Sequence, residues 1–247
     1  MKQLRTFSWK ISGVKRKENM SVKIDMKELL EAGAHFGHKT SRWHPKISEY
    51  IHSKRQDTHI INLEKTVDGI EAALPTITKV IKDGKKILFV GTKKQLKNLV
   101  KEAAESVDMP YVTERWVGGT LTNVETINRQ IKKLKDLERR LASGELEARY
   151  SKLEVQRFQE EIATLNTRYG GIKDMTEQPA VVIITDACED KNAIQEAESL
   201  NIPVVAICDT NVDPTGIDYV IPANDDSTKA EKLILSYFIE AIKQAKQ

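Results

Sequence analysis

Three short, almost wholly apolar runs constrain this chain most: Lys86-Ile-Leu-Phe-Val-Gly91, Ala180-Val-Val-Ile-Ile-Thr185 and Pro203-Val-Val-Ala-Ile-Cys208. Runs of this length without polar alternation read as central parallel strands, apolar on both faces. Both faces then need cover, and amphipathic helices lie between the runs. After the first run, Leu96, Leu99, Val100, Ala103 and Val107 share one helical face, opened by a capping box over Thr92 to Gln95. Asp190 caps a helix from Lys191 to Leu200, and Thr228 with Glu231 opens a last helix lined by Leu233, Ile234, Tyr237, Phe238, Ala241 and Ile242. Short strands are predicted at residues 110–113 and 218–221. This alternation gives a doubly wound α/β core.

Towards the N-terminus, Asp25 and Glu28 frame a short helix that ends at Gly33, and His59 to Leu63 reads as an edge strand. Residues 64–82 carry Val67, Ile70, Leu74, Ile77 and Ile81 at helical spacing, with a kink expected at Pro75. One long tract departs from the alternation. Thr122 and Glu125 form a capping box before Ile127, Ile131, Leu134 and Leu141; Ser143-Gly144 interrupts; Val155, Phe158, Ile162, Leu165 and Tyr169 return. Narrow apolar seams on two otherwise charged arms predict an inserted antiparallel coiled-coil hairpin over residues 123–168, about 30 Å long. Gly118-Gly119 and Gly170-Gly171 at its two ends suggest hinges. The α/β domain then comprises residues 20–122 and 169–247.

Charge is uneven. Residues 1–19 hold six cations against Glu18, a surplus of five, so the remainder must be −2 to give the total of +3. That segment reads as a disordered basic extension, with Met20 an alternative start. A slightly acidic body contacts polyanions through local patches, not as a bulk cation. Cys188 and Cys208 are expected to be reduced, buried thiols, and no apolar run approaches the roughly 20 residues of a membrane helix.

All five histidines fall between His35 and His59, among Lys39, Arg42, Lys46, Lys54, Arg55, Phe36, Trp43 and Tyr50. Zinc would want His-x-x-x-His on a helix or added cysteines, and neither is present in the stretch. Aromatic rings interleaved with cations instead suit irregular or single-stranded RNA, with rings stacking on bases and cations neutralising phosphates. Lys93 and Lys94, beside a predicted helix N-terminus, add a phosphate contact. Asp186 and Asp209 follow strands at the sheet end where ligands bind in such folds, so they are the candidate metal residues. They frame the competing reading of a metal-dependent enzyme on nucleotides or phosphosugars. No nucleophile on a glycine elbow supports it.

Six blocks then resemble the bacterial small-subunit ribosomal protein two family: His35 to Lys46, Phe89 to Gln95, Arg115 to Asn123, Gly170 to Met175, Asp209 to Pro214 and Ile221 to Asp226. They span about residues 20–245 in the family's order. The resemblance implies a flavodoxin-like α/β domain with a protruding helical hairpin and a cytoplasmic place on the small ribosomal subunit. It also implies contact with ribosomal RNA and neighbouring ribosomal proteins, help in docking the large mRNA-binding ribosomal protein one, and no catalysis. The expected RNA-binding residues are Lys39, Arg42, Trp43, Lys46, Lys54, Arg55, Lys93 and Lys94, with Arg115 and Trp116 at the hairpin root. Neither a membrane nor a homo-oligomer is expected, and structural magnesium ions are the only cofactor admitted. His44, Ala223 and Thr185 to Asp190 depart from the family's usual pattern.

Overall fold

The computed structural model describes residues 22–247, so the predicted basic extension over residues 1–19 lies outside the described part. Helix α1 (Met26–Glu31) starts where the Asp25 side chain accepts a hydrogen bond from the Lys27 N–H. Despite Gly37 and Pro45, the histidine-rich stretch is not an irregular loop. It folds as strands β1 (Phe36–Lys39) and β2 (Ile51–Arg55), separated by a 3-10 helix (Pro45–Tyr50), and pairs with β3 (Thr58–Ile61) in an antiparallel sheet. β3 is the middle strand, not an edge strand. A two-residue turn fixes this hairpin, with φ of 47° at Gln56 and 60° at Asp57, the paired left-handed conformation that tight hairpins need.

Helix α2 (Leu63–Lys82) begins on the Asn62 side chain and continues through Pro75. Its buried face, with Ile70, Ala73, Ile77 and Ile81, holds the helix together where proline removes one backbone donor. The chain continues as β4 (Ile87–Val90), α3 (Lys97–Glu105), β5 (Tyr111–Val112), α4 (Val124–Ala142), α5 (Glu145–Arg149) and α6 (Lys152–Tyr169). It closes with β6 (Val181–Ile184), α7 (Lys191–Ser199), β7 (Val204–Cys208), β8 (Tyr219–Pro222) and α8 (Thr228–Ala245). Three helix starts differ from the expected caps. α3 begins after Leu96 with no side-chain cap, α4 is capped by Asn123 and α8 by Ser227.

The five-stranded sheet is parallel, in the order β5-β4-β6-β7-β8. That is the flavodoxin-like α/β arrangement, with the change of direction between β4 and β6. Ile87 and Phe89 face a core shared with α1, α2, α3 and α8, while Leu88 and Val90 face a second core shared with α4, α6 and α7. The alternation of one strand between two cores explains why β4 is buried at every position. α4 packs on α6, and Ile127, Ile131, Leu134 and Leu137 are buried with Val155, Leu165 and Tyr169. Leu141 of the predicted seam is only half-buried, and Leu146 in α5 is buried instead. At the far end of this tract a Cβ on Gly171 would lie 2.3 Å from the Tyr111 carbonyl oxygen. Close approach to the edge strand, as well as turning, requires glycine there.

Candidate nucleic-acid interface

The exposed surface of the small sheet follows from its register. Lys39 and Arg55 both pair with Thr58, from opposite sides of β3. Residues opposite one another in antiparallel strands point to the same face, so two cations flank Thr58 in one row. Arg42 turns off the end of β1, its N–H donating to the Lys39 carbonyl at 2.9 Å. Lys39, Arg42 and Arg55 are exposed and take part in no ion pair among the described residues. Phe36, opposite Ile60 and so on the face of Thr58, is 50% exposed against His35, while Trp43 is 40% exposed and tilted on the ring of His59, which strand alternation turns to the other face, with centroids 5.4 Å apart. The unpaired cations and the exposed Phe36 ring share one small surface. It borders a groove of about 380 Å³ lined by Lys39, Arg42, Thr58 and, on its far side, Asp209 and Asp226.

The parallel sheet holds this surface in place. The His38 N–H donates to Asp209 Oδ1 at 3.1 Å and to Thr210 Oγ1 at 2.9 Å, and the His44 N–H donates to the Thr210 carbonyl at 2.8 Å. Gly37 permits the approach, since a Cβ there would be 2.7 Å from Thr210 Cγ2. His38 Nδ1 lies 3.0 Å from Asp209 Oδ2, a bond that holds the imidazolium above its ordinary value against partial burial. Burial pushes His35 and His59 the other way.

Other expected contacts lie elsewhere or are already engaged. Lys46 Nζ is held by Asp213 at 3.1 Å and Thr215 at 2.7 Å, and Lys54 faces Asp57 at 3.3 Å. Lys93 does not flank a helix terminus, because α3 starts at Lys97. Its ammonium sits among Asp226 at 2.8 Å, Asp225 at 2.9 Å and Asp186 at 3.3 Å. Burial opposes that charge, but the bonds to Asp226 and Asp225 raise its pKa overall. Lysine thus fills the end of the sheet near the switch in strand order, where the competing enzyme reading would place its ligand. Lys94 and Arg115 remain exposed.

Trp116 is 7% exposed, and its Nε1–H donates to Glu196 at 2.9 Å, so it is core and not contact surface. Glu196 also accepts from the N–H groups of Gly119, Leu121 and Thr122 and from the Thr122 hydroxyl, which explains why Thr122 does not cap α4. Nothing in the sequence marks Glu196 as that anchor. Asp190 occupies the start of α7 but turns its carboxylate to Thr92, accepting from the backbone N–H at 3.2 Å and the hydroxyl at 2.9 Å. Asp186 accepts from the N–H groups of Cys188 and Glu189. Both thiols are free, with Cys208 buried and Cys188 exposed, against the expectation that both are buried.

Residues 29–245 match the family model of ribosomal protein S2. The chain belongs to the ribosomal protein S2 family. It is therefore a structural protein of the small ribosomal subunit that serves translation. The matched span includes both sheets and every residue of the exposed cation and aromatic surface. No helix among the described residues is long and apolar enough to cross a membrane.

Proposed function

We propose that this S2-family chain binds small-subunit ribosomal RNA through the face of the β1-β3-β2 sheet. Lys39, Arg42 and Arg55 neutralise phosphates, and Trp43 and Phe36 stack on unpaired bases. The observation that carries this reading is the common row of Lys39 and Arg55 about Thr58, with both cations free of ion pairs among the described residues and the exposed Phe36 ring on the same face. Lys94 and Arg115 extend the contact as point charges. Lys46 and Lys54 add less, because a phosphate must first compete with Asp213 or Asp57. The chain acts in the cytoplasmic ribosome, without catalysis, and helps dock ribosomal protein one; its family membership supports that part.

The test is the salt dependence of binding to a small-subunit RNA fragment. Each lost phosphate contact lowers the log–log slope by about 0.9 on duplex or about 0.7 on single strands. Changing Lys39, Arg42 and Arg55 together to Ala should therefore reduce the slope by about 2–3. Trp43→Ala should weaken affinity by about 1–3 kcal/mol while leaving the slope intact. An unchanged slope in the triple variant would remove this face from the interface.

A further inference from the structure

The groove bordered by Lys39 and Arg42 has two unlike walls. One carries those cations with Thr58, and the other carries His38, Asn224 and Asp226. We infer, on the RNA-binding reading of the neighbouring face, that this groove holds one unpaired guanosine of the bound RNA, with its phosphate on Lys39 and Arg42 and its base edge on His38 and Asp226. The volume of about 380 Å³ lies within the range of roughly 300–1,000 Å³ for small-ligand sites, which is room for a nucleotide swung out of its stack. The groove is continuous with the cation row, so a chain whose phosphates lie on that row can turn one base into it.

Hydrogen-bonding capacity names the base. Asp226 Oδ1 accepts from Lys93 at 2.8 Å and from Gln95 only at 3.5 Å, and Oδ2 accepts no hydrogen bond among the described residues. The side chain is 62% exposed, so the carboxylate stays open to a ligand. His38 Nε2 stands 3.9 Å from Oδ2, too far for a mutual hydrogen bond and a fitting span for the partners of neighbouring atoms on one base edge. Nδ1 is held by Asp209 Oδ2 at 3.0 Å, so as imidazolium the ring presents Nε2–H to the groove. The wall therefore offers donor, acceptor, acceptor, the order on the Watson–Crick edge of cytosine. Guanine is its complement, with O6 accepting from His38 and N1–H and N2–H donating to the carboxylate. Adenine and cytosine would set a ring-nitrogen lone pair, and uracil a carbonyl oxygen, against the same carboxylate, and each mismatch leaves polar groups unpaired. The wall is also preformed. The Asp226 N–H donates to Asn224 Oδ1 at 2.9 Å, and Asn224 donates from its backbone to the Ala34 carbonyl at 3.0 Å and from its side chain to the Gly33 carbonyl at 3.2 Å. These bonds fix the loop between β8 and α8 against the chain entering β1, so the two base-reading side chains keep their spacing.

Full-length protein is titrated into fluorescent single-stranded RNA, a uridine tract in which one central nucleotide is varied. Guanine there should bind about tenfold or more tighter than adenine, cytosine or uracil, and inosine, which lacks the N2 amino group, should lose most of that advantage. Asp226→Asn should remove the preference for guanine while leaving the salt slope of the Lys39 and Arg42 contacts intact. Equal affinity for the four bases in the wild-type chain, or a preference that survives Asp226→Asn, would overturn the pocket. So would free guanosine monophosphate binding as tightly as the tract, which would make the ligand a free nucleotide. No base preference together with a slope that falls in the triple Lys39, Arg42 and Arg55 variant would overturn the guanosine alone; an unchanged slope in that variant would overturn the face itself.

Discussion

At the scale of single residues, carboxylates decide how the loops are held, and two of them respond to pH in opposite senses. Burial pushes the Glu196 carboxyl up, but donation from Trp116, Gly119, Leu121 and Thr122 brings it below its ordinary value. Its contribution is therefore present above the unfolded carboxylate range and lost as pH falls through the depressed folded value. Glu196→Ala strands several donors at the root of α4 and should cost about 2–4 kcal/mol in urea unfolding at pH 7. Glu196→Gln keeps an acceptor and should cost less. Asp190 is the reverse. Burial raises it from 3.8 to about 6, outweighing the bonds from Thr92. The folded state keeps that proton longer, so this group's contribution is full below the unfolded value and declines as pH rises to about 6. The difference corresponds to about 3 kcal/mol. Asp190→Asn should therefore gain stability relative to wild type on going from pH 4.5 to 7.5, and a parallel pair of stability–pH curves would contradict this. Neither role was legible in the sequence. Glu196 is an ordinary helix glutamate there, and Asp190 reads as a cap because its partner Thr92 follows the neighbouring strand β4, far away in sequence.

At the scale of elements, the histidine-rich stretch shows where local reading stops. Its residue types, cations interleaved with aromatic rings, were visible. Its pairing was not, because β1 and β2 are short and their register is irregular. Polar strands stabilised mainly by a neighbouring sheet give little alternation to read. The same limit hid the cluster around His38. The carboxylates nearest the His38 ring, Asp209 and Asp226, come from the opposite end of the chain. Gly37 is the position on which the docking of β1 depends. Gly37→Ala would place a methyl 2.7 Å from Thr210 Cγ2 and 3.2 Å from the His59 carbonyl oxygen. Overpacking of this kind should cost about 1–3 kcal/mol. It should also raise hydrogen exchange in β1 and β3 while β6 and β7 keep their protection. Uniform loss across both sheets would show that the small sheet has no separate stability.

At the scale of the molecule, the parallel sheet was the most legible part, since β4, β6 and β7 are buried along their length and had to be apolar throughout. The strand order and the attachment of α4 and α6 were not, because both rest on contacts between distant segments. Seam residues Ile127, Ile131, Leu165 and Tyr169 belong to the same apolar cluster as Leu88, Val112 and Ile184 of the sheet. A hairpin that were only an appendage would share no core with the body. Replacing residues 124–168 by a short glycine linker tests this. We expect the remaining chain to fold with a lower thermal midpoint and to expose apolar surface around Val112 and Ile172, measured by calorimetry and dye binding. Leu134→Ala, at a site with no exposure, should cost about 2–5 kcal/mol in the intact chain. If the deletion left the midpoint unchanged while Leu134→Ala destabilised only a separate, earlier transition, the helical tract would be an autonomous insertion. A single cooperative transition shifted by both changes would make α4 and α6 part of the same cooperative core as the parallel sheet.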